Sequence, residues 1–396
     1  SRARDRPKGT SGHTSIPINP PEMSKRPRDA DGAAGASVPA RSSAPATGAS
    51  VTSADSVIAR TRAVEEQRVM RLTKEGPLNP DTKDFCGAFA ALDLDNSWDF
   101  AAFKKGFSID ITKLSEELVT FDMVGIDPPL ANAFRRILIA EVPTVAISRV
   151  TMYQNTGVIH DENVAHRLGL VPILFEPDKL EWRPPDSDFN EDNSIVFNLR
   201  VACPQGPGAA RSVYSGDLVW EPLSEAQRKR WEANPPRPVT NDILIAKLRA
   251  GQEIECSCHC EKGIGRDHAK WSPVCTATYR LLPRVAFKHD IVGEDAKTLK
   301  QVCPMGVFDI EDVPKIGKRA VVSRPRACTT CRECITSFDG EAKGILLGKV
   351  KDHYLFSIES VGQVPATELF QRALTKLKQK CRTAKSVIEH RQASQP

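Results

Sequence analysis

No apolar run in this 396-residue chain approaches the ~20 consecutive residues a helix needs to cross a bilayer, so no membrane contact is expected. The first residues show no secretory h-region, and the chain opens on Ser1 rather than Met. H-E-x-x-H, G-x-S-x-G, the P-loop and a strand-borne G-x-G-x-x-G are all missing, which leaves zinc-protease, hydrolase and nucleotide-dependent chemistry without a motif. Gly263-x-Gly265 is too short for a dinucleotide fingerprint. Charge bias is weak: 55 Lys and Arg against 50 Asp and Glu leave a net +5, too mild to mark a nucleic-acid surface. No internal repeat longer than a few residues stands out. Cysteine, by contrast, is plentiful. Eleven of them without a secretion signal argue for free thiols or a metal site rather than a disulfide framework.

Residues 1–56 are mostly Ser, Ala, Pro, Gly and Arg, with almost no large apolar side chains. Such a segment cannot bury enough surface to offset its ordering entropy, which predicts a disordered tail. Lys25-Arg26-Pro27-Arg28 within it reads either as a solvated basic patch or as a nuclear-import signal. Residues 57–106 form a lead-in, with one short helix expected over 63–71.

A regular pattern begins at Phe107. Residues 107–111 and 117–121 alternate as strands do. Pro128 and Pro129 suit the first turn of a helix, where a missing N–H costs nothing. Leu130, Phe134, Ile137 and Leu138 then recur at helical spacing and Pro143 closes the run, which predicts a helix over 129–141 and a β-branched strand over 145–153. Residues 172–250 read as an inserted β-rich region, with turn-rich loops at 184–193 and 203–208. Strands at 253–259 and 276–282 flank a Gly263-Ile264-Gly265 turn. A strand at 354–360 precedes a long helix from 365 to about 390. On that helix Leu369, Phe370, Ala373, Leu374, Leu377, Cys381 and Ala384 form one apolar stripe beside Lys376, Lys378, Lys380 and Arg382. The stripe packs either on its own domain or on a partner. The whole is an α+β chain.

The strongest chemical signal is Cys328-Thr-Thr-Cys331-Arg-Glu-Cys334. This spacing directs three thiolates at one small volume, as three corners of a [4Fe–4S] cluster require. Cys303-Pro304 lies upstream, with hairpin strands expected between, a layout that resembles a bacterial-type ferredoxin module with one of its two sites kept. Cys303, Cys328, Cys331 and Cys334 then form one complete ligand set. Four thiolates also suit structural zinc, although those sites usually come as two C-x-x-C pairs, and an empty reduced remnant is the third reading. Cys256, Cys258 and Cys260 share one face of a strand. With Cys275 they could form a second metal site, but buried free cysteine behaves as a small hydrophobe and packing is the expectation.

The runs Asn132-Ala133-Phe134-Arg135-Arg136-Ile137-Leu138, Glu141-Val142-Pro143 and His166-Arg167-Leu168-Gly169-Leu170-Val171-Pro172 resemble the α-like subunits of cellular RNA polymerases. Residues 262–273 and Thr276-Ala277-Thr278-Tyr279-Arg280-Leu281-Leu282-Pro283 match the same family, closest to the form that polymerases I and III share. The likeness spans roughly 107–380. Cys203 stands alone where some polymerase II forms cluster four cysteines, a departure that argues against that branch.

The resemblance implies a dimerisation domain of 107–171 plus 340–390, an inserted domain of 172–290 and a ferredoxin-like module of 291–339. It further implies a non-catalytic subunit of DNA-directed RNA polymerases I and III, which transcribe rRNA, tRNA and 5S RNA in the nucleus. Such a subunit pairs with a smaller α-like partner, using Leu130, Phe134, Ile137, Leu138, Leu369, Phe370, Ala373 and Leu377. Arg135, Arg136, Lys262, Asp267, His268 and Lys270 become candidates for docking the two large subunits, with DNA met only through the complex. The alternatives are a polymerase II or archaeal-type α-like subunit or, from another class, a ferredoxin-domain oxidoreductase or metal-dependent hydrolase using His160-Asp161-Glu162 and His166.

Overall fold

The computed structural model describes residues 14–17, 69–80, 99–314 and 317–393. The chain divides into two compact units: Gly106–Arg280 with the segment from His353 onward form most of the first, and Leu281–Asp352 most of the second.

The larger sheet of the first unit is antiparallel and centres on Glu253–Ile264, between Pro143–Asn155 on one side and Ile195–Ala202 on the other, with Leu218–Glu221 beyond. Alternation explains its core. Cys256, Cys258 and Cys260 lie in register with Met152, Val150 and Ile147 on one neighbour and with Leu199, Phe197 and Ile195 on the other. All three thiols are buried in that apolar cluster, and the Cys258 thiol is held well above its usual range, first by its hydrogen bond with Cys256 and then by burial. They pack as small hydrophobes. The sequence boundary at 171/172 runs through this sheet, because Pro143–Asn155 and Ile195–Ala202 flank the same central strand.

The second sheet pairs Ser108–Leu114 with Leu118–Val124, and the latter with residues 353–359 of the long strand Ile345–Ser360. Two helices belong with it. Pro128–Ala140 opens on its two prolines and ends where the Glu141 N–H donates to the Ile137 carbonyl. Ala366–Ala393 starts with Ala366, Leu369 and Ala373 fully buried. Phe370 stands edge-on to Phe121 at 5.0 Å and 5.4 Å from Phe134, while Phe121 stacks on Phe356 at 5.2 Å. Each such aromatic pair adds ~0.5–1.5 kcal/mol beyond area burial.

Several expectations change. The helix expected over 63–71 ends in a strand instead: Val69–Leu72 pairs with Leu347–Val350, and the rest of that stretch lies outside the described residues. That strand is paired on both sides, since Arg71 and Leu72 also pair with Leu78 and Pro77. Within the expected tail, Thr14–Pro17 pairs along Arg149–Met152, and the remainder of 1–56, including Lys25–Arg28, lies outside the described residues. Asp161–Gly169 is a helix that the sequence pattern does not predict, with acidic residues in its first turn and basic ones in its last. Gly263 and Ile264 finish a strand rather than make the turn, which follows them.

In the second unit, Glu294–Val302 packs on the hairpin Phe308–Val313/Gly317–Val322. Ala296, Leu299, Phe308, Ala320, Ile335, Phe338 and Leu347 form its core.

Candidate cysteine centre and interaction surface

Cys303, at the end of the Glu294–Val302 helix, and the 328–334 loop bring four thiols to one pocket, which Val307, Phe308 and Leu347 help to line. Positive φ at Thr330 (59°) and Arg332 (72°) curls the loop around that pocket. The Val307 N–H donates to Cys303 Sγ and the Thr330 N–H to Cys328 Sγ, both at 3.4 Å. Such N–H···S bonds stabilise a thiolate and tune a cluster. Burial first, and then the neighbouring Cys328, Cys331 and Cys303, push the Cys334 thiol up to about 12, so without a bound cation this sulfur stays protonated. Cys331 is the exposed member of the set. Among the described residues no three Cys, His, Asp or Glu side chains are gathered so that they could hold a metal ion. The four thiols thus share a pocket without converging on a single point. Four thiols lining one pocket suit either a cluster or a single zinc ion in their chemistry.

The residues expected at a partner contact divide sharply. Phe134, Ile137, Leu138, Leu369 and Ala373 are buried within the chain, where the two helices meet each other. Phe370 and Leu377 are half-buried, and Leu130 is exposed. Beyond them Leu374, Val387 and Ile388 face solvent, and every residue from 378 to 392 is exposed. Lys380 reaches back to Glu141 at 2.7 Å, fastening the middle of the long helix to the end of the early one.

The six charged or polar docking candidates also separate. Arg135 donates from Nε and Nη2 to Asn132 Oδ1, at 3.1 and 2.9 Å, and Arg136 is exposed. Asp267 is exposed on the turn after the central strand. Lys262 is turned inward: its ammonium sits 3.7 Å from the Asp178 carboxylate and 5.3 Å from the Trp182 ring centre. Lys270 is buried over the Trp271 ring at 4.2 Å, and desolvation brings its ammonium down to about 8 against the opposing pull of Glu261. His268 accepts the Lys270 N–H at Nδ1, and its imidazole titrates below its usual range through burial, then Lys270 and His166. Lys262 and Lys270 thus set their ammonium groups over indole rings of their own chain. His160 and His166 sit at the start and on the exposed side of Asp161–Gly169.

Arg372 was not singled out by sequence. It binds Glu176 at 2.6 Å and Glu368 at 2.8 Å, tying the long helix to the loop that carries Trp182. Only the Glu368/Arg372 spacing of four on a helix hinted at it.

The family described as the RNA polymerase Rpb3/Rpb11 dimerisation domain matches residues 120–381. A mouse protein named DNA-directed RNA polymerases I and III subunit RPAC1 is 43% identical over 340 residues, covering 82% of this chain and 96% of its own. The Dictyostelium discoideum protein of the same description is 40% identical over 322 residues, covering 80% and 92%. The Saccharomyces cerevisiae one is 39% identical over 324 residues, covering 78% and 95%.

Proposed function

Because the chain belongs to the family of RNA polymerase Rpb3/Rpb11 dimerisation domains, we propose that it is the non-catalytic α-like assembly subunit of RNA polymerases I and III, acting in the nucleus. It pairs with a smaller α-like subunit, and the pair organises the two large catalytic subunits for transcription of rRNA, tRNA and 5S RNA. The observation that carries this reading is identity of 39–43% running through almost the whole length of relatives named for both polymerases. Its work is mechanical: the two helices leave Leu130, Leu374 and Ile388 exposed, and burying each against a partner contributes about 1.5–3 kcal/mol. Arg136 and Asp267 are the exposed members of the docking set and are assigned to the large subunits. Co-expression with the smaller α-like subunit is expected to yield a 1:1 complex that then captures the large subunits. A well-behaved monomer with no affinity for that subunit would overturn the reading.

A second reading concerns the cysteine centre. Cys303, Cys328, Cys331 and Cys334 would hold a [4Fe–4S] cluster, which supplies structural cross-linking of the module when bound; the C-x-x-C-x-x-C spacing, with Cys303 in the same pocket, supports this reading. Anaerobic purification followed by iron, sulfide and zinc analysis tests this, with about four irons per chain expected. One zinc, or no metal, would retire it.

A further inference from the structure

The turn that follows the central strand is fastened at both ends and latched in the middle by one titratable side chain. At its start the Arg266 N–H donates to the Ala140 carbonyl at 2.9 Å, and the Ile139 carbonyl leaves no room for a Cβ on Gly265. The chain is pressed there against the end of the early helix. At the far end Thr144 Oγ1 donates to the Trp271 carbonyl at 2.7 Å, and Trp271 Nε1 to the Glu261 carbonyl at 3.2 Å. Between these anchors Arg266 and Asp267 are exposed and His268 is half-buried. His268 caps the short 3₁₀ turn Ala269–Trp271, its Nδ1 accepting the Lys270 N–H at 3.1 Å.

That bond fixes the state of the ring. An imidazole accepts at Nδ1 only when that nitrogen carries no proton, so His268 is neutral and bears its hydrogen on Nε2. An imidazolium would turn a second N–H toward the Lys270 amide, donor against donor. The surroundings resist the charge as well. The Lys270 ammonium is buried in the same turn over the Trp271 ring, and the exposed His166 ring on the Asp161–Gly169 helix stands 6.5 Å away. The nearby acid, Glu261, acts on Lys270 and is engaged by Arg183 at 2.6 Å. Burial first, then Lys270 and His166, hold the His268 imidazole below its ordinary 6.5. The folded ring thus takes up its proton at lower pH than the unfolded one, and its contribution to stability falls as pH drops through 6.5.

We propose that His268 is a positioning residue for docking of the large subunits: as a neutral acceptor it latches the turn that presents Asp267, and protonation of its ring releases that turn. The proposal rests on the docking assignment of Asp267 above. It moves His268 from a contact on that surface to the group that shapes it.

The test uses the full chain in complex with the smaller α-like subunit and measures capture of the large subunits from pH 7.5 down to pH 5. With the unaltered chain, capture is expected to weaken about three- to tenfold at the acid end, the factor that loss of a helix cap typically carries. His268→Asn supplies an acceptor oxygen that does not titrate, so it is expected to keep capture at pH 7.5 and to flatten the profile. His268→Ala removes the acceptor and is expected to weaken capture by a similar factor at both ends. His166→Gln is expected to keep the fall and to move its midpoint to higher pH, because a neighbouring charge is gone. Acid effects on the other subunits are common to all these chains and cancel in the comparison. Unfolding midpoints check that each variant is folded, and nitrogen-15 shifts of the ring in the heterodimer alone read its tautomer without any docking step. A profile as steep in His268→Asn as in the unaltered chain, a flat profile in His166→Gln, or a neutral ring protonated on Nδ1 would each overturn the latch while leaving the docking role standing. Absence of capture by the unaltered complex at every pH would instead overturn the docking assignment, and the latch's part in it.

Discussion

The ring of Phe370 lies 5.4 Å from that of Phe134, so the early and late helices meet inside one chain before any partner arrives. With Phe121 on the other side of Phe370 at 5.0 Å, three elements close on a single aromatic side chain. Phe370→Ala is therefore expected to cost about 2–4 kcal/mol, somewhat below a fully buried phenylalanine because the site is half-buried. Urea unfolding of the purified chain measures it. A loss under ~1 kcal/mol would mean that the two helices are not held together here.

Gly263 faces the Trp271 indole so closely that an added Cβ would fall 2.3 Å from Cε2. The indole cannot retreat easily, because its Nε1 donates to the Glu261 carbonyl at 3.2 Å. Gly263→Ala is expected to destabilise the first unit by about 1–3 kcal/mol, with altered tryptophan fluorescence. A variant with unchanged midpoint and spectrum would show that the indole has room to move.

Lys270 gives a pH dependence whose sign follows from its surroundings. Its ammonium titrates near 8 when folded, against 10.5 in an exposed chain. Between those values the unfolded chain holds a proton that the folded chain has released, so this group's contribution to stability rises with pH from about 8 toward 10.5. Below 8 both states are charged and the cost of burying the ammonium is felt in full. Comparing the chain with Lys270→Met across pH 7 to 10, which cancels the cysteine titrations common to both, is expected to show the difference moving in favour of the unaltered chain at the alkaline end. A flat difference would place the ammonium in contact with solvent.

At the cysteine centre, Cys334→Ser is expected to abolish iron retention, and Cys331→Ser to weaken it, since Cys334 is buried in the module's core and Cys331 is exposed. Iron and sulfide analysis after anaerobic purification reads both. Iron retention in both variants equal to that of the unaltered chain would detach these thiols from the metal.

Much of the fold was legible locally. The Pro128–Pro129 start, the apolar repeat after it and the closing Pro143 placed the early helix to within a residue at each end, because capping and periodicity are properties of neighbouring residues. The C-x-x-C-x-x-C spacing pointed to three clustered thiols for the same reason. Asp161–Gly169 escaped notice because it is short and its apolar positions, Val164, Ala165 and Leu168, resemble a loop's as easily as a helix's until they are seen against the sheet.

By itself, then, the sequence determined the periods: which faces are apolar, where helices may begin, which thiols share a loop and, through its resemblance, the family. Only the tertiary structure decided what each face is buried against. Ile137, Leu138, Leu369 and Ala373 look like any exposed interface stripe until the chain folds them onto one another. Lys262 and Lys270 look like a basic docking surface until their ammonium groups are seen over the Trp182 and Trp271 rings. Cys303 joins the 328–334 loop only because the Phe308–Val313/Gly317–Val322 hairpin between them folds the chain back on itself. Periodicity is local chemistry, whereas partnership depends on contacts between residues far apart along the chain.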